Sequence, residues 1–271
     1  MVRGLLLDLS GVVYVGDRLV EGAADALARL EAAGVPVRFV TNTTSQPRSA
    51  IVARLSRLGL EVPLSHVFTP AMAALSWLRE HELVPHLLVH PRLEVDFADA
   101  PRSGKGTAVV VGDAREHFTY PAMNAAFRQL IHGAPLLALA QNRVFLDDDG
   151  ELSIDAGAFV HALAYAAQVE PVLLGKPAPG FFAAAAASMG LRLDEVAMVG
   201  DDAEADVSGA LAAGVAAAIL VRTGKYRKGD EDRVDHPPTA VVDDLAAAVE
   251  YLLSGDTGPF GGGKAARYRQ Q

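Results

Sequence analysis

Apolar residues follow two rhythms along this chain. Short unbroken runs, Gly4 to Leu9, Val35 to Val40, Val196 to Val199 and Ala216 to Val221, have the length of strands buried on both faces. Elsewhere apolar residues recur three and four apart. Ala23, Leu27 and Leu30 form one such stripe and Ile51, Leu55 and Leu58 another, closed by Gly34 and Gly59. Ser45 is placed to cap the second of these helices, with Pro47 in its first turn. The opening therefore reads strand–helix–strand–helix. The same order returns near the end. A strand from Val196 leads into Gly200-Asp201-Asp202, a helix runs from Ala203 to Ala213, and Gly214 closes it. A short strand, Ala240 to Val242, precedes a helix from about Asp243 to Leu253. This alternation predicts a parallel sheet covered by helices.

The middle of the chain carries its own units. Leu87 to His90, Ala108 to Val111 and Leu136 to Ala140 read as strands, with a helix from about Pro121 to Ile131 between the last two. Asp147-Asp148-Asp149-Gly150 reads as a hairpin turn. These units predict a second α/β domain, residues 79–172, inserted into a core made of 1–78 and 173–255. Residues 256–271, rich in glycine and then basic at Lys264, Arg267 and Arg269, read as a flexible tail.

Composition narrows the function. The chain is 51% hydrophobic over 271 residues, enough for a large core. Its formal charge of −9 argues against a nucleic-acid partner, which needs a basic face. A few local cations can still hold one small phosphorylated substrate. With no cysteine, disulfides, thiolate metal sites and cysteine nucleophiles are excluded. No apolar stretch is long enough to span a bilayer, and the N-terminus enters a strand at once, so a soluble, cytoplasmic protein is expected.

Four polar clusters stand out: Asp8 with Ser10-Gly11, Thr41-Asn42, Lys176 and Asp201-Asp202. Each alone fits a turn, a cap or a solvated loop. Three of them, however, follow buried strands, and Lys176 follows the short run Val172 to Leu174. Parallel sheets bind ligands at the carboxyl ends of their strands, so the four clusters are expected to converge on one site.

In this order the clusters resemble the motifs of the haloacid-dehalogenase-like (HAD) phosphatase superfamily. Asp8-Leu9-Ser10-Gly11-Val12-Val13 resembles its first motif and Thr41-Asn42 its second. Lys176-Pro177 resembles the third, and Gly200-Asp201-Asp202 with Asp206 the fourth. The resemblance covers nearly the whole chain. It implies an α/β fold with a Rossmann-like parallel-sheet core and an inserted α/β cap of the C2 type, the type IIA branch. It also implies a Mg²⁺-dependent phosphohydrolase in which Asp8 becomes an aspartyl phosphate. Asp8, the Ser10 backbone carbonyl, Asp201 and Asp202 would then hold Mg²⁺. Lys176 would supply positive charge beside Asp8, Ser10, Gly11, Thr41, Asn42 and Lys176 would bind substrate, and Asp206 would act as a support. A cap-mediated homodimer is implied by the same resemblance.

One position departs from the superfamily. Most of its phosphatases carry a second aspartate two residues after the nucleophile, as general acid and base. Here that position is Ser10. Losing a general acid typically costs about 10²- to 10⁴-fold in rate. Three readings follow. The leaving group needs little protonation, as in phospholysine, phosphohistidine or pyrophosphate. Alternatively, a cap residue such as His117 supplies the proton to an ester substrate. Alternatively, the protein is a catalytically weak phosphate- and metal-binding protein. Relatives within the branch that share this serine favour the first.

Overall fold

The computed structural model describes residues 2–146 and 151–254. In chain order the elements begin with β1 (Gly4–Asp8), β2 (Tyr14–Val15), β3 (Arg18–Leu19), α1 (Ala23–Ala32), β4 (Val37–Val40), α2 (Arg48–Arg57), β5 (Val67–Phe68) and α3 (Pro70–His81). There follow β6 (Leu83–Leu88), β7 (Gly106–Val111), α4 (Tyr120–Ile131), β8 (Leu136–Ala138), β9 (Val144–Leu146), β10 (Leu152–Ile154), α5 (Ala156–Ala167) and β11 (Val172–Leu173). The chain closes with α6 (Pro179–Ala187), β12 (Val196–Gly200), a wide π-type turn at Ala203–Ser208, α7 (Gly209–Ala213), β13 (Ala217–Val221), β14 (Ala240–Val242) and α8 (Leu245–Leu253).

The chain divides into two compact units. Among the described residues the first gathers those up to Thr41, Val52–Phe68, and those from Lys176 to Ser254. Its six-stranded sheet has the order β14-β13-β12-β1-β4-β5, with every pair parallel. The central strands β1, β12 and β13 are buried throughout, as their unbroken apolar runs require of strands covered on both faces. Burying a Leu or Val side chain contributes about 1.5–3 kcal/mol, so Leu5, Leu6 and Leu7 pin the strand that ends at Asp8. Helix α1 presents Ala23, Ala26 and Leu30 to the core, close to the stripe read from the sequence.

The second unit consists of Asn42–Ile51 and Thr69–Gly175. It has a parallel four-stranded sheet, β11-β8-β7-β6, and a separate antiparallel pair, β9 with β10. Leu130 and Val160, on α4 and α5, pack with Val109, Val111 and Leu136 of its sheet.

Several expected boundaries move. Helix α3 packs on β6 and belongs to the second unit, so that unit begins well before residue 79. Val172 and Leu173 pair with Leu137 and Ala138 of β8, which carries the second unit on to Gly175 rather than 172. Helix α2 starts at Arg48, so Pro47 precedes it, and its carbonyl accepts the Ala50 and Ile51 amides. The helix expected over 203–213 is split into the π-type turn and α7. The turn read at 147–150 and the tail at 256–271 lie outside the described residues. Among the described residues no helix is long and apolar enough to cross a membrane.

Candidate active site

In the first sheet the chain reverses direction beside its central strand. From β1 it proceeds to β4 and β5. After the second unit it resumes at β12, on the other flank of β1, and moves outward to β13 and β14. Where successive connections leave neighbouring parallel strands in opposite directions, a crevice opens at their carboxyl ends, and ligands bind there. Asp8 is the last residue of β1, and Asp201 directly follows β12, which pairs with β1 through Val199 and Leu7. Thr41, buried, directly follows β4, the strand paired with β1 on its other side.

Lys176 organises the acidic groups. Its ammonium donates to Asp8 Oδ1 and lies 2.7 Å from Asp206 Oδ1. Both ion pairs are almost wholly removed from water. Asp206 sits in the π-type turn, a form of helix often found at functional sites. Its Oδ2 also accepts the Asp202 amide at 3.2 Å. Carboxylate oxygens of Asp8, Asp201 and Asp206 all lie within 4.8 Å of one another.

Asp202 does something different from the metal-holding part expected of it. Its Oδ1 accepts the Glu204 and Ala205 amides at 3.2 and 2.9 Å, capping the helix that carries Asp206. Its Oδ2 pairs with Lys225 at 3.3 Å. Burial works to raise this carboxyl, but the Ala205 amide and the Lys225 charge outweigh it and hold it below the usual range. With these partners Asp202 is a cap and an ion-pair partner, and the clustered carboxylates are those of Asp8, Asp201 and Asp206.

Gly11 also differs from expectation. Its amide donates to the Tyr14 carbonyl at 2.7 Å, closing a tight turn rather than facing a ligand, and its carbonyl accepts from Thr223 Oγ1. What Gly11 supplies is room. It has φ of +94°, and a Cβ there would run into the Asp201 carboxylate. Gly224, at φ +63°, lies against Gly11 and approaches the same carboxylate, and the Lys225 amide donates to Asp201 Oδ2 at 2.7 Å. Only glycine combines a positive φ with such a close approach.

Sequence pattern alone assigns no role to Thr223-Gly224-Lys225. The signal that could have found it is its place: it follows β13, at the same carboxyl edge as Asp8 and Asp201. Ser10 is exposed beside the site. Asn42 opens the second unit, where its Oδ1 lies 3.0 Å from the position a Cβ on Gly175 would take.

The electrostatics call for a cation. Three buried carboxylates face one buried lysine. Burial raises Asp8 to about 7, Lys176 opposes that rise, and Asp206 and Asp201 add to it. Burial likewise raises Asp201 to about 6, against the Lys225 amide. Burial pushes Lys176 down, but Asp206 and Asp8 outweigh it, so its ammonium is held above the ordinary lysine range. Clustered carboxylate oxygens inside a glycine-walled cradle are the donor set that hard divalent cations take, and Mg²⁺ fits it.

A pH dependence follows. An aspartate raised on folding binds its proton more tightly in the folded chain, so the metal-free protein loses stability as pH rises from about 4 to about 7. A cation must displace those protons. Mg²⁺ is therefore expected to raise the melting temperature clearly at pH 8 and little at pH 5.5. Its affinity should weaken about tenfold per unit of pH below about 6 for each proton displaced. Thermal denaturation across pH and Mg²⁺ concentration measures this, and a shift independent of pH would contradict it.

Comparison with known proteins agrees with this geometry. Residues 5–113 match a family model described as haloacid dehalogenase-like hydrolase, and residues 173–248 match one described as HAD-hydrolase-like. Haloacid dehalogenase-like hydrolase domain-containing protein 2 of Homo sapiens is 40% identical over 252 residues, spanning 93% of this chain and 96% of that protein. Phospholysine phosphohistidine inorganic pyrophosphate phosphatase of Danio rerio is 40% identical over 259 residues, spanning 93% and 95%. Among solved structures, a 4-nitrophenylphosphatase of Thermotoga maritima superposes with a TM-score of 0.81 at 25% identity, over 92% of this chain and 97% of that one.

Proposed function

The chain belongs to the haloacid dehalogenase-like hydrolases and is a phosphatase, and from that we propose that it transfers phosphoryl groups to Asp8 in a Mg²⁺-dependent reaction, acting on phosphoramidate or pyrophosphate bonds. The observation that carries this reading is the buried cluster of Asp8, Lys176, Asp201 and Asp206 at the reversal point of a parallel sheet.

An Asp8 oxygen attacks phosphorus as the bond to the leaving nitrogen or oxygen breaks, and the leaving atom keeps the electron pair. Water then attacks the aspartyl phosphate, releasing inorganic phosphate and restoring the carboxylate. Splitting one displacement in two is the benefit of a covalent route. Lys176 favours the ionised form of Asp8 and fixes the direction of its Oδ1. Asp206 has one oxygen on Lys176 and the other on the Asp202 amide, so its part is to hold the lysine. Asp8, Asp201 and the Ser10 backbone carbonyl would hold Mg²⁺. When bound, the ion offsets the repulsion between the Asp8 carboxylate and the phosphoryl oxygens. Thr41 and Asn42 are assigned to the phosphoryl group.

Ser10 decides the substrate class. A hydroxyl there cannot act as the carboxylic acid that an alkoxide leaving group needs. The nitrogen of a phosphoramidate can take up its proton before the bond breaks, and the phosphate that leaves from pyrophosphate departs as a stabilised anion. The related Danio rerio protein, named for phospholysine, phosphohistidine and pyrophosphate, supports this assignment. The test is phosphate release from phospholysine, pyrophosphate and an unactivated alkyl phosphate, by wild type and Ser10→Asp. Wild type is expected to favour the first two, and the variant to gain about 10²-fold or more on the alkyl phosphate. An unchanged preference would show that the missing acid does not set specificity.

A further inference from the structure

The second unit brings His90 together with Glu116 and His117, a pair that lies some way further along the chain. His90 follows β6, while Glu116 and His117 belong to the short turn after β7. Strands β6 and β7 are neighbours in a parallel sheet, so both loops leave its carboxyl edge side by side. A nitrogen of His90, a nitrogen of His117 and a carboxylate oxygen of Glu116 all lie within 4.8 Å of one another. The two imidazoles meet edge-on with centroids 5.6 Å apart, and His117 Nε2 is 3.6 Å from Glu116 Oε1.

We propose that His90, Glu116 and His117 form a binding site for a divalent metal ion of the Zn²⁺ class, made wholly by the second unit. Two imidazoles and one carboxylate are a donor set that suits Zn²⁺ and Co²⁺ and is poor for Mg²⁺, which prefers oxygen. Three protein ligands leave one position open for water or an added ligand. Solvent reaches all three residues, so an ion can enter without unfolding anything.

The loop that carries two of the donors is held in place. Arg115 has φ of +50°, uncommon for a residue other than glycine. Asp113 fixes it, with Oδ1 accepting the Arg115 amide at 3.3 Å and Oδ2 accepting Nε at 3.0 Å. The guanidinium also lies 4.1 Å from the centroid of the Phe145 ring. On the other loop, His90 Nδ1 accepts the Arg92 amide at 3.1 Å. A metal on either ring nitrogen costs His90 that bond, so the site is one of moderate affinity.

The test uses the full chain in excess Mg²⁺, which occupies the acidic cluster. Co²⁺ is added and its visible absorption followed, then Zn²⁺ is titrated by calorimetry. One equivalent of Co²⁺ is expected to give the bands of a low-coordinate, imidazole-bound ion, displaced by Zn²⁺. His90→Ala, His117→Ala and Glu116→Gln should each weaken binding at least about tenfold, while Asp201→Asn leaves it unchanged. Melting temperatures of the three variants without Co²⁺ or Zn²⁺, expected to match wild type, separate loss of binding from loss of fold. No binding in excess Mg²⁺, binding indifferent to these three changes, or loss in Asp201→Asn would overturn the proposal.

Discussion

Asp8→Asn is expected to lower phosphate release by about four orders of magnitude or more while leaving the protein folded. An amide oxygen is too weak a nucleophile to attack phosphorus, and removal of a nucleophile commonly costs on this scale. The same change should do no harm to the metal-free fold. Asp8 is buried and raised to about 7 by burial and by its carboxylate neighbours, so its charge is a liability there. Asparagine keeps the shape and removes the charge. Activity and melting temperature measured on one preparation therefore separate the two effects. Activity near wild type would end the assignment of Asp8 as nucleophile, and loss of the fold would show that its carboxylate is structural.

Lys176→Met should have the largest effect on stability. The lysine is buried, and its ammonium is shared between Asp8 and Asp206. Methionine fills similar volume but leaves buried carboxylates without their cation. Breaking a buried pair in this way costs about 3–5 kcal/mol. The loss should be greater at pH 8 than at pH 5.5. Below about 6, Asp8 and Asp201 take up protons and the uncompensated charge falls. Adding Asp206→Asn to Lys176→Met should restore part of the stability, since one of the stranded charges is then gone. Urea unfolding at both pH values measures this. A loss of under 1 kcal/mol at pH 8 would mean that the cluster is not held together by Lys176.

The core sheet and its acidic edge were legible because strands buried on both faces leave continuous apolar runs. Leu5-Leu6-Leu7 and Val196 to Val199 mark the strands that end in Asp8 and precede Asp201, and the glycine-closed helices between runs imply parallel pairing. Local signals could not show which carboxylate of Asp201-Asp202-Asp206 does what. Asp202 looks like a ligand by adjacency, but its oxygens are taken by the amides of the turn it caps and by Lys225. Asp206 joins the cluster from a π-type turn, which no hydrophobic period announces. Gly11 is similar. Its need for positive φ is local, but the carboxylate it makes room for, Asp201, follows a strand far away in the chain. The second unit's edges were missed for the same reason. Val172 and Leu173 form a two-residue strand whose placement depends on a partner, β8, and not on their own pattern.

The most direct test of the account is to trap the phosphoryl enzyme. Wild type is mixed with phospholysine and Mg²⁺, quenched within a single turnover, reduced with borohydride to fix any acyl phosphate, and mapped by peptide mass spectrometry. The account predicts modification at Asp8 that forms before phosphate appears and is absent from Asp8→Asn and from metal-free samples. Phosphate released in a turnover that leaves Asp8 unmodified at every quench time, or modification at another residue, would contradict it.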